Sequence, residues 1–210
     1  MSLIIAWLNI LSALIGVLGF GYFYLLSVMP ATRAEKHGSK AWKECQRFRK
    51  LAAFFAVIPV INMILWLLYP IPGLDWNIHS DPLVPIVLGI AIATPCTLVL
   101  IKAMMDVGRE TWQPSTETKM AKGIYRHIRH PQLLGRPPWY IAIALWVNSL
   151  FLLIVVVISL VILIPLMIHY EEKDLLKRFG NTYREYQKRT GALFPKICRK
   201  KHDSKITSTG

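Results

Sequence analysis

The sequence predicts an all-α fold, a polytopic membrane helix bundle formed by a single domain over residues 1–210. Three observations support this prediction. The chain is 54% hydrophobic and yet carries a formal net charge of +13. Apolar and charged residues occupy separate blocks instead of alternating at the period of an amphipathic helix. Of the 25 Lys and Arg residues, all but Lys102 lie in three segments between or after apolar runs. Such segregation is typical of chains that cross a bilayer.

The first three apolar runs, residues 3–29, 51–69 and 82–105, are each close to or longer than the about 20 residues that a span requires. The first run contains no charged residue, and no basic segment precedes it. We therefore interpret it as a retained span and not as a cleaved signal peptide.

The fourth apolar stretch, residues 137–168, has no charged residue and is too long for one span. As a single helix it would measure roughly 48 Å, which exceeds a hydrocarbon core of about 30 Å and falls short of two full crossings. It could form one very long helix, or a tight helical hairpin that turns near Asn148. The hairpin would have a short first arm over 137–147 and a second arm over 150–168.

The distribution of basic residues favours the hairpin. Segments 30–50 and 106–136 hold seven and six Lys or Arg, the tail 170–210 holds eleven, and loop 70–81 holds none. The positive-inside rule assigns the basic segments to the cytosol, and only a hairpin keeps the tail there. The sequence thus predicts five membrane segments, with the N-terminus outside and the C-terminus inside. The membrane would be a prokaryotic plasma membrane or the endoplasmic reticulum.

An amphipathic C-terminal helix follows the last apolar run. Its larger side chains recur at steps of three and four residues, and Gly180 interrupts the pattern. We expect this helix to lie at the membrane interface over the mouth of the bundle, and residues 197–210 to be disordered. The recurring residues are Glu172, Leu175, Leu176, Phe179, Tyr183 and Tyr186.

The basic segment Arg126–Pro131 is the first candidate functional region. One interpretation is a juxtamembrane cluster that binds anionic lipid head groups. Two features favour a functional site instead. His130 precedes a proline and is therefore biased away from helical geometry. The segment also leads into Gly135 and the hairpin, where irregular backbone requires burial in protein or a cavity.

The acidic pair Glu171-Glu172, directly after the last apolar run, is the second candidate. It could be an exposed helix segment with Lys173 and Lys177 as solvated partners. Ionisable residues at a membrane boundary, however, usually face a cavity or a partner. Adjacent residues point about 100° apart on a helix, so we expect one of the two to face a ligand squarely. Glu172 is preferred, with His169 one turn before it.

Several site classes have no signal in the sequence. The three cysteines are scattered, without metal-ligand spacing, so neither a disulfide framework nor a metal site is expected. No nucleotide-binding loop or nucleophile-elbow motif is present. The basic residues lie beside the spans, so the bilayer and its anionic lipids are the expected partners and nucleic acid is not. The sequence specifies no oligomeric state.

The C-terminal half contains a series of short motifs in a specific order. Their residues are Gly123, Tyr125, Arg126, Arg129, His130, Pro131, Gly135, Glu171, Glu172, Phe179, Gly180, Tyr183, Tyr186, Phe194 and Pro195. This order resembles the isoprenylcysteine carboxyl methyltransferase family, part of a wider group with the phospholipid methyltransferases, over about residues 106–196. The resemblance implies an S-adenosylmethionine-dependent membrane enzyme that encloses the cofactor in this half, with a lipophilic substrate entering from the bilayer.

The resemblance also implies roles for individual residues. Arg129 and His130 suit the carboxylate of S-adenosylmethionine, and Glu171 or Glu172 suits its ammonium or ribose hydroxyls. The predicted cofactor-binding residues are Gly123, Tyr125, Arg129, His130, Pro131, Gly135, Glu172 and Tyr183. The predicted catalytic residues are Glu171, Glu172 and His169.

Two positions depart from the family pattern. Leu133 stands where a tyrosine is usual, which removes an expected cofactor contact. Met167 stands where many carboxyl-methylating members have an arginine, which removes the natural partner of a prenylcysteine carboxylate. His169 could partly substitute for that arginine, or act as the base that a thiol or amine acceptor requires.

The predicted function is methyl transfer from S-adenosylmethionine to a lipophilic, membrane-embedded acceptor at the cytosolic face. The C-terminal carboxylate of an isoprenylated cysteine is one such acceptor, and a phospholipid, amine or small thiol is the alternative. Two other classes stay open. Sterol-type reductases that use NADPH resemble this family in their C-terminal half but generally have more spans. A basic membrane scaffold would need no catalytic residues at all.

Overall fold

The computed structural model describes residues 2–108 and 123–196, and every regular element within them is helical. The predicted disordered tail, 197–210, lies outside the described residues. A short 3-10 helix, Gly123–Arg126, precedes the fifth α-helix. The helices are α1 (Ser2–Ser27), α2 (Pro30–His37), α3 (Lys40–Leu65), α4 (Leu83–Val107), α5 (Pro131–Gly135), α6 (Pro138–Trp146), α7 (Leu150–Phe179) and α8 (Asn181–Arg189).

Four of the described helices, α1, α3, α4 and α7, are long and apolar enough to cross a membrane. The all-helical membrane prediction is therefore confirmed at this level. The fifth predicted segment, 137–147, corresponds to α6, which has nine residues. Such a helix is about 14 Å long, under half of a hydrocarbon core of about 30 Å. The count of five membrane segments is not confirmed.

The chain reverses between α6 and α7 at Asn148, where the backbone adopts a positive φ of 55°. Asn is one of the few non-glycine residues that tolerate this region. Its side-chain oxygen accepts hydrogen bonds from the amides of Ile78 and His79, each at 3.1 Å. The α6–α7 turn therefore lies against the loop between α3 and α4. A membrane-crossing hairpin with a cytosolic C-terminus stays a prediction.

Two helices extend beyond the apolar blocks from which they were predicted. Segment 30–50, interpreted as a loop, contains α2 and the first eleven residues of α3. Helix α7 continues eleven residues past the predicted end at 168. The reason is physical: a run of lysines and arginines ends a hydrophobic block, but these residues have good helix propensity and do not end a helix.

The end of α7 is set by Gly180, which has a φ of 54°, a conformation that favours glycine. The amphipathic C-terminal segment is thus divided at the predicted glycine. Its first part is the end of α7 and its second part is α8, which folds back so that Tyr183 and Tyr186 are buried. This turn brings α8 next to the segment that precedes α5.

Small residues allow the helices to approach closely. Helix α4 packs along both α5 and α6. A Cβ atom added to Gly135 would lie 2.7 Å from Cβ and 2.9 Å from Cα of Leu100 on α4. Because Cα is backbone and cannot rotate away, Gly135 permits this separation between α4 and α5, and α5 directly follows the candidate site.

Replacing Gly135 by alanine is therefore expected to destabilise the protein by about 2 kcal/mol, in the range of overpacked cores. Thermal unfolding in detergent measures the loss. The matched control is Gly21→Ala, whose Cβ would meet a terminal methyl of Leu163 at 3.1 Å, an atom that can move. Equal unfolding midpoints for the two variants would contradict the close-approach role of Gly135.

Candidate functional site

Three parts of the chain meet at one end of the bundle: the last turns of α7, the segment 128–130 and the residues after α8. The amide of Arg129 donates to the carbonyl of Gly191 at 2.8 Å, and the amide of His130 donates to Ala192 at 2.9 Å. A parallel bridge joins Ile128 to Gly191. This backbone pairing presents the side chains of residues 129 and 130 toward α7.

His130 lies between the two glutamates of α7. Its Nδ1 atom is 3.3 Å from Glu171 Oε2, and its Nε2 atom is 3.0 Å from Glu172 Oε1. The imidazole side chain is only 3% exposed. Glu171 and Glu172 point in different directions from the helix, but both reach His130 because the two ring nitrogens face opposite ways. Both glutamates therefore contact one imidazole, and which of the two faces a ligand squarely stays a prediction.

Arg129 holds Glu172 and the end of α8 together. Its Nε atom donates to Glu172 Oε1 at 2.8 Å, and this ion pair is largely buried. Its Nη1 atom donates to the carbonyls of Gln187, at 3.2 Å, and of Thr190. A guanidinium can serve several acceptors at once because its donors form a rigid planar fork. Arg129 thereby connects α7 to α8.

Gln187 is a site residue that sequence reasoning missed. Its side-chain amide donates to Glu172 Oε2 at 2.8 Å, on the carboxylate oxygen that Arg129 and His130 leave free. A signal existed, since Gln187 lies one helical turn after the predicted Tyr183 and therefore on the same face of α8. Glu172 thus accepts hydrogen bonds from Arg129, His130 and Gln187.

The charges in this cluster fix the state of His130. Burial opposes the charged imidazolium, but the carboxylates of Glu171 and Glu172 outweigh it and raise the pKa of His130 from 6.5 to about 9. The geometry agrees, since both ring nitrogens face carboxylate oxygens and both can donate only when the ring is protonated. His130 is thus a cation at neutral pH and not a general base.

Stability is expected to fall as the pH rises above neutral. A group whose pKa is raised on folding stabilises the folded state fully below its unfolded pKa, here 6.5, and this contribution is lost as the pH rises through the folded value of about 9. The difference corresponds to roughly 3 kcal/mol, at about 1.4 kcal/mol per pKa unit. Thermal unfolding in detergent, from about pH 6.5 to about pH 9.5, measures this loss.

The variant His130→Gln isolates the contribution of the imidazole. It should unfold at a lower temperature than the wild type near neutral pH, and its midpoint should depend less on pH. His127→Gln, at an exposed residue three positions earlier, serves as the control and should follow the wild-type profile. A His130→Gln profile parallel to that of the wild type would contradict the raised pKa.

Three tyrosines line the same region. Tyr186 donates its hydroxyl to the carbonyl of Tyr125, and the Tyr125 hydroxyl accepts from Gln132 at 3.1 Å. The Tyr183 hydroxyl is buried and has no hydrogen-bond partner among the residues that the structure describes. Burial raises the pKa of Tyr186 to about 12, and burial and the charge of Glu172 raise the pKa of Tyr183. These hydroxyls therefore stay protonated.

Three further predicted cofactor-binding residues, Gly123, Pro131 and Gly135, shape the backbone of the 3-10 helix and of α5, which lie on either side of the segment 128–130. Gly123 has a φ of 51°, and a Cβ atom there would overlap the carboxylate of Asp106. That carboxylate accepts the amide of Ile124 at 2.7 Å and so anchors the 3-10 helix to α4. Pro131 is the buried first residue of α5, and Gly135 lies against α4.

His169 is not brought into the cluster. It is exposed, and its ring makes an edge contact with Tyr170 at a centroid distance of 5.4 Å. The two positions that depart from the family pattern, Leu133 and Met167, are 8% and 3% exposed. Both therefore contribute apolar surface to the interior at places where a polar side chain was expected.

An apolar groove of about 440 Å³ lies beside the cluster, between α5 and α6 on one side and α7 on the other. Two of its lining residues neighbour His130 along the backbone: the amide of Leu133 donates to the His130 carbonyl at 3.1 Å, and Leu193 follows Ala192, whose carbonyl accepts the His130 amide. The lining residues are Leu133, Leu134, Pro137, Pro138, Ile141, Val157, Leu160, Val161, Ile164, Pro165 and Leu193.

Residues 84–182 match the sequence model of the phospholipid methyltransferase family. The match includes α4 except Leu83, the segment before α5, and all of α5, α6 and α7, but begins after α1 to α3 and ends before most of α8. The resemblance to the wider phospholipid and isoprenylcysteine methyltransferase group is thereby confirmed. No solved structure matches the chain.

Two curated proteins are similar over most of the chain. Methanethiol S-methyltransferase 1 of Bradyrhizobium diazoefficiens is 23% identical over an alignment of 165 positions, which covers 70% of this chain and 54% of that protein. Methanethiol S-methyltransferase of Pseudomonas deceptionensis is 25% identical over an alignment of 197 positions, which covers 83% of this chain and 71% of that protein. The aligned region thus spans about half the length of the first relative.

Proposed function

We propose that this chain, whose residues 84–182 match the phospholipid methyltransferase family, transfers a methyl group from S-adenosylmethionine to a lipophilic acceptor at the membrane boundary. The observation that carries the proposal is the buried cluster of Arg129, His130, Glu171 and Glu172, covered by α8 and adjoining an apolar groove. Such a cluster suits a zwitterionic cofactor on one side and an apolar acceptor on the other.

The residues present fit S-adenosylmethionine. Arg129 and the protonated His130 offer donors for its carboxylate, and Glu171 and Glu172 offer acceptors for its ammonium or ribose hydroxyls. The buried Tyr183 hydroxyl supports this fit, since a polar atom without a partner usually signals a missing ligand or water. In the structure Arg129 and His130 contact Glu172, so binding would exchange some of these contacts for contacts to the cofactor.

Methyl transfer from this cofactor requires little acid or base catalysis by the protein. When bound, S-adenosylmethionine supplies a methyl group on a positively charged sulfur. The main task of the surrounding residues is then to hold donor and acceptor in line, and such orientation can contribute several kcal/mol to lowering a barrier. Arg129 suits this task because its guanidinium is fixed from both α7 and α8. The cover of α8 over the cluster also limits access of water.

The groove indicates an acceptor with a hydrocarbon portion. Every residue that lines it is apolar, and one of them, Leu133, donates its amide to the carbonyl of His130. The positively charged His130 is better suited to stabilise an anionic acceptor, a thiolate or a carboxylate, than to deprotonate an amine. The relatives are named for methanethiol, and Met167 replaces the arginine expected for a prenylcysteine carboxylate. A lipophilic thiol that has lost its proton to solvent before it enters the site, and so arrives as a thiolate, is therefore the preferred acceptor. An isoprenylated cysteine or a phospholipid amine comes next.

The exposed His169 could serve only an acceptor that reaches it from outside the cluster. We keep it as a candidate base for amine or thiol acceptors, and assign the positioning of the cofactor to Glu171 and Glu172. The excess of basic residues in segments 30–50 and 170–210 supports a cytosolic orientation of this end of the bundle and contact with anionic lipid head groups.

Calorimetry with the detergent-purified protein tests the proposal, with S-adenosylmethionine and NADPH as separate ligands. Micromolar binding of S-adenosylmethionine is expected. Transfer of a labelled methyl group is then measured to dodecanethiol, a prenylated cysteine, phosphatidylethanolamine and methanethiol, with dodecanethiol expected to react fastest. Binding of NADPH instead would identify a reductase, and binding of neither would favour a basic membrane scaffold.

A further inference from the structure

Asp174, two residues after Glu172, is a buried carboxylate outside the cluster described above. It is 1% exposed. Its Oδ1 atom accepts the amide of Thr32 at 2.7 Å, and its Oδ2 atom accepts the amide of Ala31 at 3.2 Å. Both amides belong to the first turn of α2, whose N–H groups have no partner within that helix. Asp174 of α7 thus caps α2 from a distance of more than 140 residues along the chain.

Helical geometry relates this contact to the glutamates. At about 100° per residue, Asp174 points roughly 160° away from Glu172 and about 60° away from Glu171. The end of α7 is therefore held from opposite sides. Arg129, His130 and Gln187 hold Glu172 on one side, and the first turn of α2 holds Asp174 on the other.

Further contacts between the end of α7 and the N-terminal helices surround Asp174. Lys177 pairs with Glu35 of α2 at 2.9 Å, but this pair is exposed. The guanidinium of Arg178 lies 5.1 Å from the ring centre of Trp42 on α3. Asp174 differs from both because its contact is buried and because the hydrogen bonds fix the rotation of α7 about its axis. Exposed pairs of long side chains constrain a helix only weakly.

We propose that Asp174 is a positioning residue, which docks α7 on the first turn of α2 and thereby fixes where Glu171 and Glu172 lie in the site. This proposal rests on the proposed function only in the expected effect of Asp174 on the affinity for S-adenosylmethionine. Helices α2 and α3 lie outside the region that matches the family, residues 84–182. Through Asp174 this N-terminal part would control the geometry of a site built by the C-terminal part.

Loss of the carboxylate should act on the glutamates through the helix. Without Asp174, two amides of α2 would lose their acceptors in a buried place, and α2 would shift to recover hydrogen bonds elsewhere. Helix α7 could then turn about its axis by some degrees. A displacement of about 1 Å at a binding or reacting group can reduce a rate by as much as about 100-fold.

Two measurements on the full-length protein in detergent test this role. The first is the affinity for S-adenosylmethionine by calorimetry. The second is the pKa of His130 from the NMR titration of its ring, which reports the closeness of Glu171 and Glu172 without any ligand. The variants are Asp174→Ala and Asp174→Asn, with Lys177→Ala as the control in the same helix contact.

Asp174→Ala should weaken the binding of S-adenosylmethionine at least tenfold and lower the pKa of His130 toward 6.5. Asp174→Asn should have a smaller effect on both, because its amide oxygen still accepts one N–H. Lys177→Ala should change neither. A folded Asp174→Ala protein with wild-type affinity and a wild-type His130 titration would overturn the proposal.

Two further outcomes are distinguishable. If the wild type does not bind S-adenosylmethionine, the proposed function fails, but a shift of the His130 titration in Asp174→Ala would still support the positioning role. If both Asp174 variants fail to fold, Thr32→Pro tests the same contact, because it removes the shorter of the two hydrogen bonds and proline is tolerated in a first helical turn. A wild-type titration in Thr32→Pro would then overturn the proposal.

Discussion

Replacing Glu172 by glutamine is expected to weaken the binding of S-adenosylmethionine at least about 100-fold and to abolish methyl transfer. Glu172 accepts hydrogen bonds from Arg129, His130 and Gln187, two of which are cationic. Glutamine keeps the shape but removes the charge and turns one acceptor oxygen into a donor. The affinity is expected to fall because glutamine cannot offer a charged acceptor to the ammonium of the cofactor. Removing one partner of a buried, hydrogen-bonded charge pair across a binding interface costs about 2–5 kcal/mol, and a 100-fold change in affinity corresponds to about 2.7 kcal/mol. Calorimetry with the purified protein measures it.

The control for this experiment is Glu185→Gln, the same chemical change on α8. Glu185 is exposed and pairs with Lys188 at 2.8 Å, so its replacement should leave affinity and activity unchanged. A Glu172→Gln protein that binds S-adenosylmethionine like the wild type would exclude Glu172 from the cofactor site. In that case Glu171 would be the remaining candidate, and Glu171→Gln would be measured in the same way.

The C-terminal half could be predicted because its motifs are local and their order is specific. Arg129, His130 and the glutamate pair were each identified from short patterns, and the structure brings them within hydrogen-bond distance. The juxtaposition itself could not follow from spacing, since about 40 residues and one reversal of the chain separate His130 from Glu172. That both glutamates contact one imidazole depends on the ring orientation, which no sequence pattern encodes.

The parts that were missed share one cause. Hydropathy locates the ends of apolar blocks and not the ends of helices. The basic start of α3 was therefore not predicted as helix, and the charged and apolar end of α7 was predicted as a separate helix instead of a continuation of α7. Asp174 lies in the end of α7 where charged and apolar residues are mixed, between Lys173 and Lys177. In such a context the sequence alone suggests a solvent-exposed acidic residue. Its partners are backbone amides of α2, and an amide carries no signature in a sequence.

Replacing Arg129 by lysine is expected to destabilise the protein by about 3 kcal/mol and to release α8 from the cluster. Arg129 donates to Glu172 and to two carbonyls at the end of α8. An ammonium on a flexible chain keeps the charge but cannot serve these three acceptors in one geometry. Each hydrogen bond lost to a charged donor contributes about 1.5–3 kcal/mol. Thermal unfolding in detergent and hydrogen exchange over residues 181–190 measure the two effects.

Thermal unfolding and hydrogen exchange together distinguish the loss of the guanidinium's planar hydrogen-bond geometry from the loss of its charge. Lysine preserves the charge balance around Glu172, so a purely electrostatic role for Arg129 would leave both the unfolding midpoint and the exchange of α8 near the wild type. The expected result is instead that hydrogen exchange in the variant accelerates, relative to the wild type, more over α8 than over α4, since only α8 depends on the carbonyl contacts. Arg184→Lys, at an exposed position on α8, provides the matched control and should change neither. Unchanged exchange over α8 in Arg129→Lys would contradict the connecting role of Arg129, and the position of α8 would then depend on its other contacts, the buried Tyr183 and Tyr186 and the hydrogen bond from Gln187 to Glu172.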